Sequence, residues 1–425
     1  MGQLKACGLV TVDVLRPGPF NTSDSDHRAM ASLSRIAAST ATPPPLPDEL
    51  LEEIFLRLDA AADLARASAS CTSFRRVVSR RRFLRRFRSL HPPPVLGLFD
   101  TRGSGQIIPL EPLHPSAAAS RALAQAADFT YSFVPGSGAL RDARDGRVLL
   151  CTAVTGKFED LVVCDPQHRR YARIPPIPDD LAASAPQRRK GMRDFRTFLA
   201  PAGEDDSDKE DEESSIRAKC TSFRVIRTVE WENKVMVFIF SSGSGRWRGI
   251  TYHSSSCPHR PIVGSQHYYA HGCFFWKVCR MDCYLMLDTR EMKFSTIDLP
   301  PGEHGTEHAI VEAGEERLGF LVFDDGAMEL YCKIWQNNGV GGEEWQHDKT
   351  IPLPGHDDGT CYDWSIIGAA EGYLLLLADH RHAYWLCFIL DLKTLLLERL
   401  CAFNDGVYSG HIYASFPPPL AQPSI

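Results

Sequence analysis

The residues of this 425-residue chain that could do chemistry are histidines and cysteines in its middle third. Thiolate and imidazole bind zinc, and structural zinc sites usually pair them at short spacings such as CxxC or HxxxH. No CxxC pair occurs, and His267 and His271 lie in a strand-like run, where a four-residue spacing leaves them far apart along one face. We therefore expect no metal site among the candidate ligands, which are His253, Cys257, His259, His267, His271, Cys273, Cys279 and Cys283.

The sequence also lacks the motifs that mark common catalytic sites. It contains no GxSxG, HExxH, GxxxxGK[ST] or GxGxxG motif. The remaining carboxylates and histidines are too scattered to nominate an acid–base pair. We expect a protein that is not an enzyme and that uses no cofactor.

Composition narrows the class of protein further. The chain is 44% hydrophobic and 24% charged, which is ordinary for globular domains, and its net charge of −6 argues against nucleic-acid binding along the whole chain. Its 13 cysteines are scattered singly, as in proteins of a reducing compartment. The longest apolar run, Tyr373 to Ala378, is far too short to cross a membrane. We expect a location in the cytoplasm, the nucleus or both, with no membrane contact.

Changes in composition divide the chain into segments. Residues 1–42 are rich in Ala, Ser and Thr without periodicity, which predicts a disordered leader. Prolines at 43–45 and 92–94 bracket a helical pattern, and after them short β-branched and aromatic runs alternate with turn residues. We place a helical module at 43–90, a proline-rich linker at 91–96, a β-domain at 97–416 with an acidic loop at 203–215, and a tail at 417–425.

The helical module has more apolar side chains than its own small core needs. Leu46 and Pro47 open its first helix, where proline is tolerated because its missing N–H would be unpaired. One apolar stripe follows, formed by Leu50, Leu51, Ile54 and Leu58. The next helices continue an apolar side with Leu64, Ala67, Cys71 and Phe74. Six such side chains buried in a partner would contribute roughly 9–18 kcal/mol before the cost of association.

These residues resemble a known family. The string LPDELLEEIFLRL, followed by DLARASASCTSFRRVV, resembles an F-box, and FLRRFRSLHPPPVLGLF resembles the flank seen in plant F-box proteins. The resemblance implies that the segment binds the Skp-family adaptor of SCF-type ubiquitin ligases and, through it, a cullin. It also implies that Leu46 and Pro47 enter the adaptor and that the stripe lines the interface or packs beneath it. The four residues from Leu64 to Phe74 would then hold the helices together.

The F-box resemblance covers about a tenth of the chain and departs mildly from the family at Phe74, where many F-boxes carry Trp. The alternative is a generic helical subdomain that packs on the β-domain.

A run of arginines accompanies the last helices, with no acid between Asp63 and Asp100. It comprises Arg75, Arg76, Arg80, Arg81, Arg82, Arg85, Arg86 and Arg88. We interpret it as the solvent face of helices whose other face carries Phe83, Leu84 and Phe87, because the apolar spacing is helical. The alternative is a nucleic-acid-binding patch or a nuclear address.

The β-domain contains a repeated plan of strands. Four segments share a glycine-led apolar strand and a second strand with a polar turn; they begin near Gly146, Gly272, Gly319 and Gly372. The last three begin about 50 residues apart, the length of a propeller blade, and a further strand-rich stretch lies at 223–247. The segments resemble the kelch-like, propeller-like F-box-associated repeats of plant proteins. We therefore expect a small all-α F-box module followed by an all-β propeller-like domain, with the blade number open and a two-sheet sandwich as the alternative.

The function that follows is a substrate-recognition subunit of an SCF ubiquitin ligase. The module at 43–90 would bind the adaptor, and the β-domain would bind a target protein whose identity the sequence does not give. The alternatives are a propeller-fold enzyme and an arginine-rich nucleic-acid-binding protein. Of these two alternatives we consider the second the weaker, because we expect no nucleic-acid partner.

Overall fold

The computed structural model of the protein describes residues between Leu46 and Phe416. The segments left out within that range are 59–60, 92, 101–104, 137, 156–157, 184–192, 202–221, 232–233, 254–265, 279–280, 302–306, 315–316, 325, 337–338, 341–343, 355–361, 371, 381–383 and 404–409. The expected leader, acidic loop and tail therefore lie outside the described residues. The chain divides into two compact units, Met1–Pro47 and Asp48–Ile425, and of the first only Leu46 and Pro47 are described.

Four helices form the N-terminal helical module. They are α1 (Asp48–Leu56), α2 (Ala61–Ser70), α3 (Thr72–Val78) and α4 (Arg81–Leu90). Asp48 and Glu49 occupy the first turn of α1, where carboxylates favour the positive end of the helix dipole. Asp63 lies inside the first turn of α2, and Cys71 lies after its end. The Cys71 Sγ instead caps α3, accepting a hydrogen bond from the Phe74 N–H at 3.4 Å.

The core of the module is completed by a residue from the far end of the chain. Its buried members are Leu51, Phe55, Leu56, Ala61, Leu64, Val77, Val78, Phe83, Leu84, Phe87 and Phe416. The His91 ring stacks on Phe87 with centroids 4.3 Å apart, and a ring nitrogen lies 2.9 Å from the Leu56 carbonyl oxygen. The module is therefore built against the β-domain, and strand β1 begins at Val95, within the segment expected to be a linker.

The β-domain is a six-bladed propeller of antiparallel sheets. Blade 1 contains β1 (Val95–Asp100), β2 (Ile107–Ile108) and β24 (Gly410–Ala414). Blade 2 contains β3 (Ala139–Arg144), β4 (Arg147–Thr155), β5 (Phe158–Asp165) and β6 (Arg170–Arg173). Blade 3 contains β7 (Arg193–Ala200), β8 (Arg224–Trp231), β9 (Lys234–Ser241) and β10 (Arg246–His253).

Three further blades complete the ring. Blade 4 contains β11 (Tyr268–Ala270), β12 (Cys273–Lys277), β13 (Cys283–Asp288) and β14 (Lys293–Asp298). Blade 5 contains β15 (His308–Glu312), β16 (Arg317–Asp324), β17 (Ala327–Gln336), β18 (Gly339–Val340) and β19 (Gln346–Pro352). Blade 6 contains β20 (Asp363–Ala370), β21 (Tyr373–His380), β22 (Tyr384–Asp391) and β23 (Leu397–Phe403). Two short helices, α5 (Ala117–Ala126) and α6 (Asp179–Ala182), lie in connections.

Blade 1 closes the ring because it joins both ends of the domain. β24 pairs antiparallel with β1, with Leu98 opposite Ile412, and it lies between the first strands of blades 6 and 2. The four predicted repeats are strands of blades 2, 4, 5 and 6, and the stretch at 223–247 belongs to blade 3. The expected propeller is therefore confirmed with six blades, and the sandwich alternative is wrong because the six sheets form a ring rather than two stacked layers.

Tight hairpins explain the glycines that begin the repeats of blades 2 and 4. Asp145 and Gly146 both have positive φ, +52° and +72°, between β3 and β4, and His271 and Gly272 repeat this between β11 and β12. A two-residue turn with both central residues at positive φ matches the twist of the paired strands, and the second position favours glycine.

A recurring aspartate fixes the next turn of the blade. Asp288 Oδ1 accepts hydrogen bonds from the N–H groups of Arg290 and Glu291 at 2.7 and 2.9 Å, and Asp165 and Asp391 do the same in their blades. These Asx turns replace backbone pairing where the third strand ends.

Candidate functional site

The apolar stripe of α1 divides into an exposed and a buried half. Leu50 and Ile54, one helical turn apart, are 52% and 49% exposed. Leu51 is only 4% exposed and packs in the module core together with Phe55 and Leu56. An exposed apolar pair on a helix whose other face is fully packed is the arrangement that a partner protein would cover. We call Leu50 and Ile54 the exposed pair.

The other residues expected to bind the adaptor take three different positions. Leu46 and Pro47 are exposed. Leu58 is half-buried against the module core. Leu64 is fully buried, while Ala67 and Phe74 are half-buried, and the Phe74 ring packs edge-on against Phe55 with centroids 5.1 Å apart. Cys71 is exposed at the cap of α3. Leu64, Ala67 and Phe74 therefore hold the helices together by packing in the core. Cys71 instead stabilises α3 by capping its first turn.

Ion pairs hold α1 in place on the helices behind it. The Asp48 carboxylate binds Arg76 at 2.9 Å and also contacts Arg80. Glu52 lies 3.2 Å from Arg80, and Glu53 lies 2.8 Å from Arg86. The hydrogen bond from Arg76, together with the charge of Arg80, lowers the pKa of Asp48. Sequence reasoning missed these pairs, although Asp48 and Glu52, like Arg76 and Arg80, are one helical turn apart.

The same ion pairs bear on the arginine run. The side chains of Arg81, Arg85 and Arg88 lie outside the description, and Arg75, Arg76, Arg80, Arg82 and Arg86 are exposed. Three of the exposed arginines pair with acids of α1, so a good part of their charge is already balanced within the module. This arrangement agrees with a solvent-exposed helix face more than with a nucleic-acid-binding surface.

Three of the candidate zinc ligands that the structure describes, His267, His271 and Cys273, have other surroundings. His271 lies in the turn before β12, where its ring stacks on Trp335 and its Nε2 lies 3.0 Å from the Arg317 carbonyl oxygen. The His267 ring stacks on Phe198 at 3.7 Å. Burial raises the pKa of the Cys273 thiol to about 12, so it is neutral. Cys257, His259 and Cys279 lie outside the described residues, and among those described no group of three or more His, Cys, Asp or Glu side chains could hold a metal ion.

A cavity of about 940 Å³ opens at one end of the propeller ring, and the module reaches its rim with Leu90 and Pro93. Turns of several blades line it with charges of both signs, among them Arg144, Glu312 and Lys393. The His271 ring, which also lines the cavity, is already held by a backbone carbonyl. The cavity is thus a concave surface of mixed charge suited to binding.

Comparisons with solved structures find chains that are similar to this one only at very low identity. TolB from Acinetobacter baumannii is 10% identical, covers 76% of this chain and 68% of its own, and gives a TM-score of 0.38. The protein lmo1340 from Listeria monocytogenes is 8% identical, covers 61% and 64%, and gives 0.32. The lectin of Aleuria aurantia is 9% identical, covers 64% and 78%, and also gives 0.32.

The comparison with curated proteins finds no match to the chain, whereas the comparison with family models matches the helical module. Among the described residues, no helix is long and apolar enough to span a membrane. Residues 45–90, which include α1 to α4, match the F-box-like family, so the chain joins an F-box-like helical domain to a six-bladed β-propeller.

Proposed function

We propose that this protein is a substrate-recognition subunit of an SCF (Skp-cullin-F-box) ubiquitin ligase. The F-box-like domain binds a Skp-family adaptor, and through it a cullin, while the propeller binds the target protein. The observation that carries the proposal is the exposed pair, Leu50 and Ile54, on the first helix of a segment that matches the F-box-like family.

Energetics support a partner at the exposed pair. Each side chain is about half covered in the free protein, so full burial would contribute roughly 1 kcal/mol apiece. The ion pairs of Asp48, Glu52 and Glu53 fix α1 before a partner arrives. A preformed helix loses less conformational entropy on binding, which favours a stable complex.

The propeller supplies the second binding surface. The turns around the 940 Å³ cavity present charged and apolar side chains on a rigid scaffold, the usual location of binding residues. A receptor of this kind does no chemistry itself and instead raises the local concentration of its target near a ubiquitin-charged partner. It would act in the cytoplasm, the nucleus or both.

Adaptor binding by the full chain tests the proposal directly. Wild-type protein and a Leu50→Asp/Ile54→Asp variant are compared by pull-down and calorimetry with a purified Skp adaptor. Two carboxylates buried in an apolar interface should weaken binding by more than about 100-fold. The matched control is Leu113→Asp, because Leu113 is 94% exposed and lies outside the helical module. Equal binding by all three proteins would refute the adaptor role.

The target is best sought with the same variant. Proximity labelling with wild type and with Leu50→Asp/Ile54→Asp keeps the propeller intact in both. Proteins labelled by both but ubiquitinated only with wild type are candidate targets. A truncation that removes the helices would be a poorer control, because Phe416 packs in the core of the module.

A further inference from the structure

A row of five aromatic rings crosses the end of blades 5 and 6 that lies opposite the cavity. Successive ring centroids in the row are 6.5, 6.1, 5.7 and 4.7 Å apart. Each of the five residues is partly exposed, and none lines the cavity. We call them the aromatic row, which in order along the surface consists of Phe323, Trp364, Tyr362, His380 and Tyr384.

The strands of blades 5 and 6 separate the row from the cavity. β21 ends at His380, whereas the turn before its first residue contains Gly372, which lines the cavity. In blade 5, Phe323 lies near the end of β16, whereas Gly314, in the turn before that strand, lines the cavity. A strand of eight residues is about 25 Å long. The aromatic row is therefore a second surface at the other end of the propeller.

The row rests on the propeller core, so its rings are positioned before a partner arrives. Four of its members pack against the core shared by blades 4 to 6, namely Phe323, Tyr362, Trp364 and Tyr384. The Trp364 ring also contacts the buried ring of Phe388, with centroids 5.2 Å apart. Aromatic side chains with two rotatable bonds supply large contact areas at a low entropy cost, and Trp and Tyr often dominate binding energies. A partly exposed row of this kind is suited to binding a partner.

Two exposed carboxylates flank the centre of the row. Asp324 follows Phe323, and Asp363 lies between Tyr362 and Trp364, beside the row because side chains alternate along a strand. Neither carboxylate has a hydrogen bond or ion pair in the part of the chain that the structure describes. Carboxylates attract cations, and so do the faces of aromatic rings. Both features of the surface therefore favour a positively charged ligand, and the carboxylates disfavour nucleic acid.

We propose that the aromatic row is a docking surface for a basic segment of the target protein, with arginine side chains stacked on the rings. The proposal rests on the function proposed above, because it names a feature by which the propeller would recognise its target. Arginine fits the surface better than lysine, since its planar guanidinium stacks on aromatic faces and is more weakly hydrated than an ammonium. An uncharged proline-rich segment would also fit against aromatic rings, but it would leave the two carboxylates unused.

Fluorescence anisotropy with the full chain tests this surface. The probe is a labelled peptide of alternating arginine and glycine, and it is compared with peptides that carry lysine, glutamate or proline in place of arginine. We expect saturable binding of the arginine peptide, weaker binding of the lysine peptide and no binding of the glutamate and proline peptides. Affinity for the arginine peptide should fall as salt is added, because the carboxylates are exposed.

Two matched pairs of variants separate the row from the rest of the surface. Tyr384→Leu removes a ring of the row and should weaken binding of the arginine peptide about 2- to 5-fold, whereas Tyr171→Leu removes an exposed ring of blade 2 and should not. Asp363→Asn removes one flanking charge and should also weaken binding about 2- to 5-fold. Asp180→Asn makes the same change at an exposed position of α6 and should have no effect.

Asp363→Asn keeps the test decisive if Tyr384→Leu fails to fold, because asparagine has the shape of aspartate. Wild-type affinity in Asp363→Asn would overturn the proposal, and so would equal binding of the arginine and proline peptides. Adaptor binding is measured separately with a purified Skp adaptor. A chain that binds the adaptor but not the arginine peptide contradicts only this inference, whereas a chain that binds the peptide but not the adaptor contradicts only the ubiquitin-ligase role.

Discussion

Phe87 of α4 packs edge-on against Phe416, two residues beyond the last strand, with ring centroids 6.3 Å apart. The contact joins residues more than 300 positions apart in sequence, and it completes the core of the F-box-like domain. A helical domain of this size has little core of its own. Its stability therefore depends on the propeller being closed, so the F-box-like domain and the propeller are coupled.

Substituting Phe416 tests this coupling. Phe416→Ala should destabilise the chain by about 3 kcal/mol, because it removes a buried ring from the module core. Helical circular dichroism should be lost at a lower temperature than in wild type. The control Leu396→Ala changes a side chain that is mostly exposed and should leave the melting temperature unchanged. Identical melting of Phe416→Ala and wild type would show that the helices do not rely on this contact.

Leu50 and Leu51 are adjacent in sequence but should have separable roles. Leu51→Ala removes a core side chain and should cost about 3 kcal/mol of stability. Leu50→Ala should change stability by less than about 0.5 kcal/mol, since its side chain is half exposed, but weaken adaptor binding about 5- to 30-fold. Denaturant unfolding and calorimetry with the adaptor measure the two effects. The reverse pattern would mean that the α1 face is assigned wrongly.

Local patterns predicted the helices and most blades well. The stripe on α1 and the glycine-led strands of blades 2, 4, 5 and 6 depend on residues close together in sequence. Their periodic patterns can therefore be recognised within about ten residues. The division of the stripe into exposed Leu50 and buried Leu51 was not predictable, because it depends on where α3 and α4 pack.

Blade 1 was missed for a similar reason. It pairs Val95–Asp100 with Gly410–Ala414, and no local period can reveal a pairing between the two ends of a domain. The burial of Arg227 in β8 also escaped sequence reasoning, since an arginine in a strand looks like a surface residue until the neighbouring blade covers it.

The Asx turns give a prediction about the propeller. Asp288→Ala removes the acceptor for two backbone N–H groups and should cost about 1–2 kcal/mol. Asp288→Asn keeps an oxygen in the same place and should cost clearly less. Chemical denaturation of the full chain compares the two variants. Equal losses would indicate that the carboxylate charge, rather than the turn geometry, stabilises blade 4.

A buried histidine in blade 5 should make stability depend on pH. The Lys277 ammonium lies 3.0 Å from His308 Nε2, so that nitrogen accepts, and Nδ1 carries the proton and donates to the Tyr284 hydroxyl at 2.6 Å. Burial, with the Lys277 charge, lowers the pKa of His308 to about 4. Burial likewise lowers the pKa of His267 to about 4. In the unfolded chain both histidines should titrate near their ordinary value of about 6.5.

The unfolded chain therefore takes up protons first as the pH falls below about 6.5, and the free energy of unfolding decreases until about pH 4. At pH 5 the loss should be roughly 2 kcal/mol for each histidine. Denaturant unfolding at pH 7 and pH 5 measures it. His308→Gln has an amide that can both accept from Lys277 and donate to Tyr284 but cannot titrate, so it should remove the contribution of His308, roughly 2 kcal/mol at pH 5. His253→Gln, at an exposed position, should retain all of it. If the stability of His308→Gln fell with pH as much as that of wild type, burial and the Lys277 charge would not lower the pKa of His308.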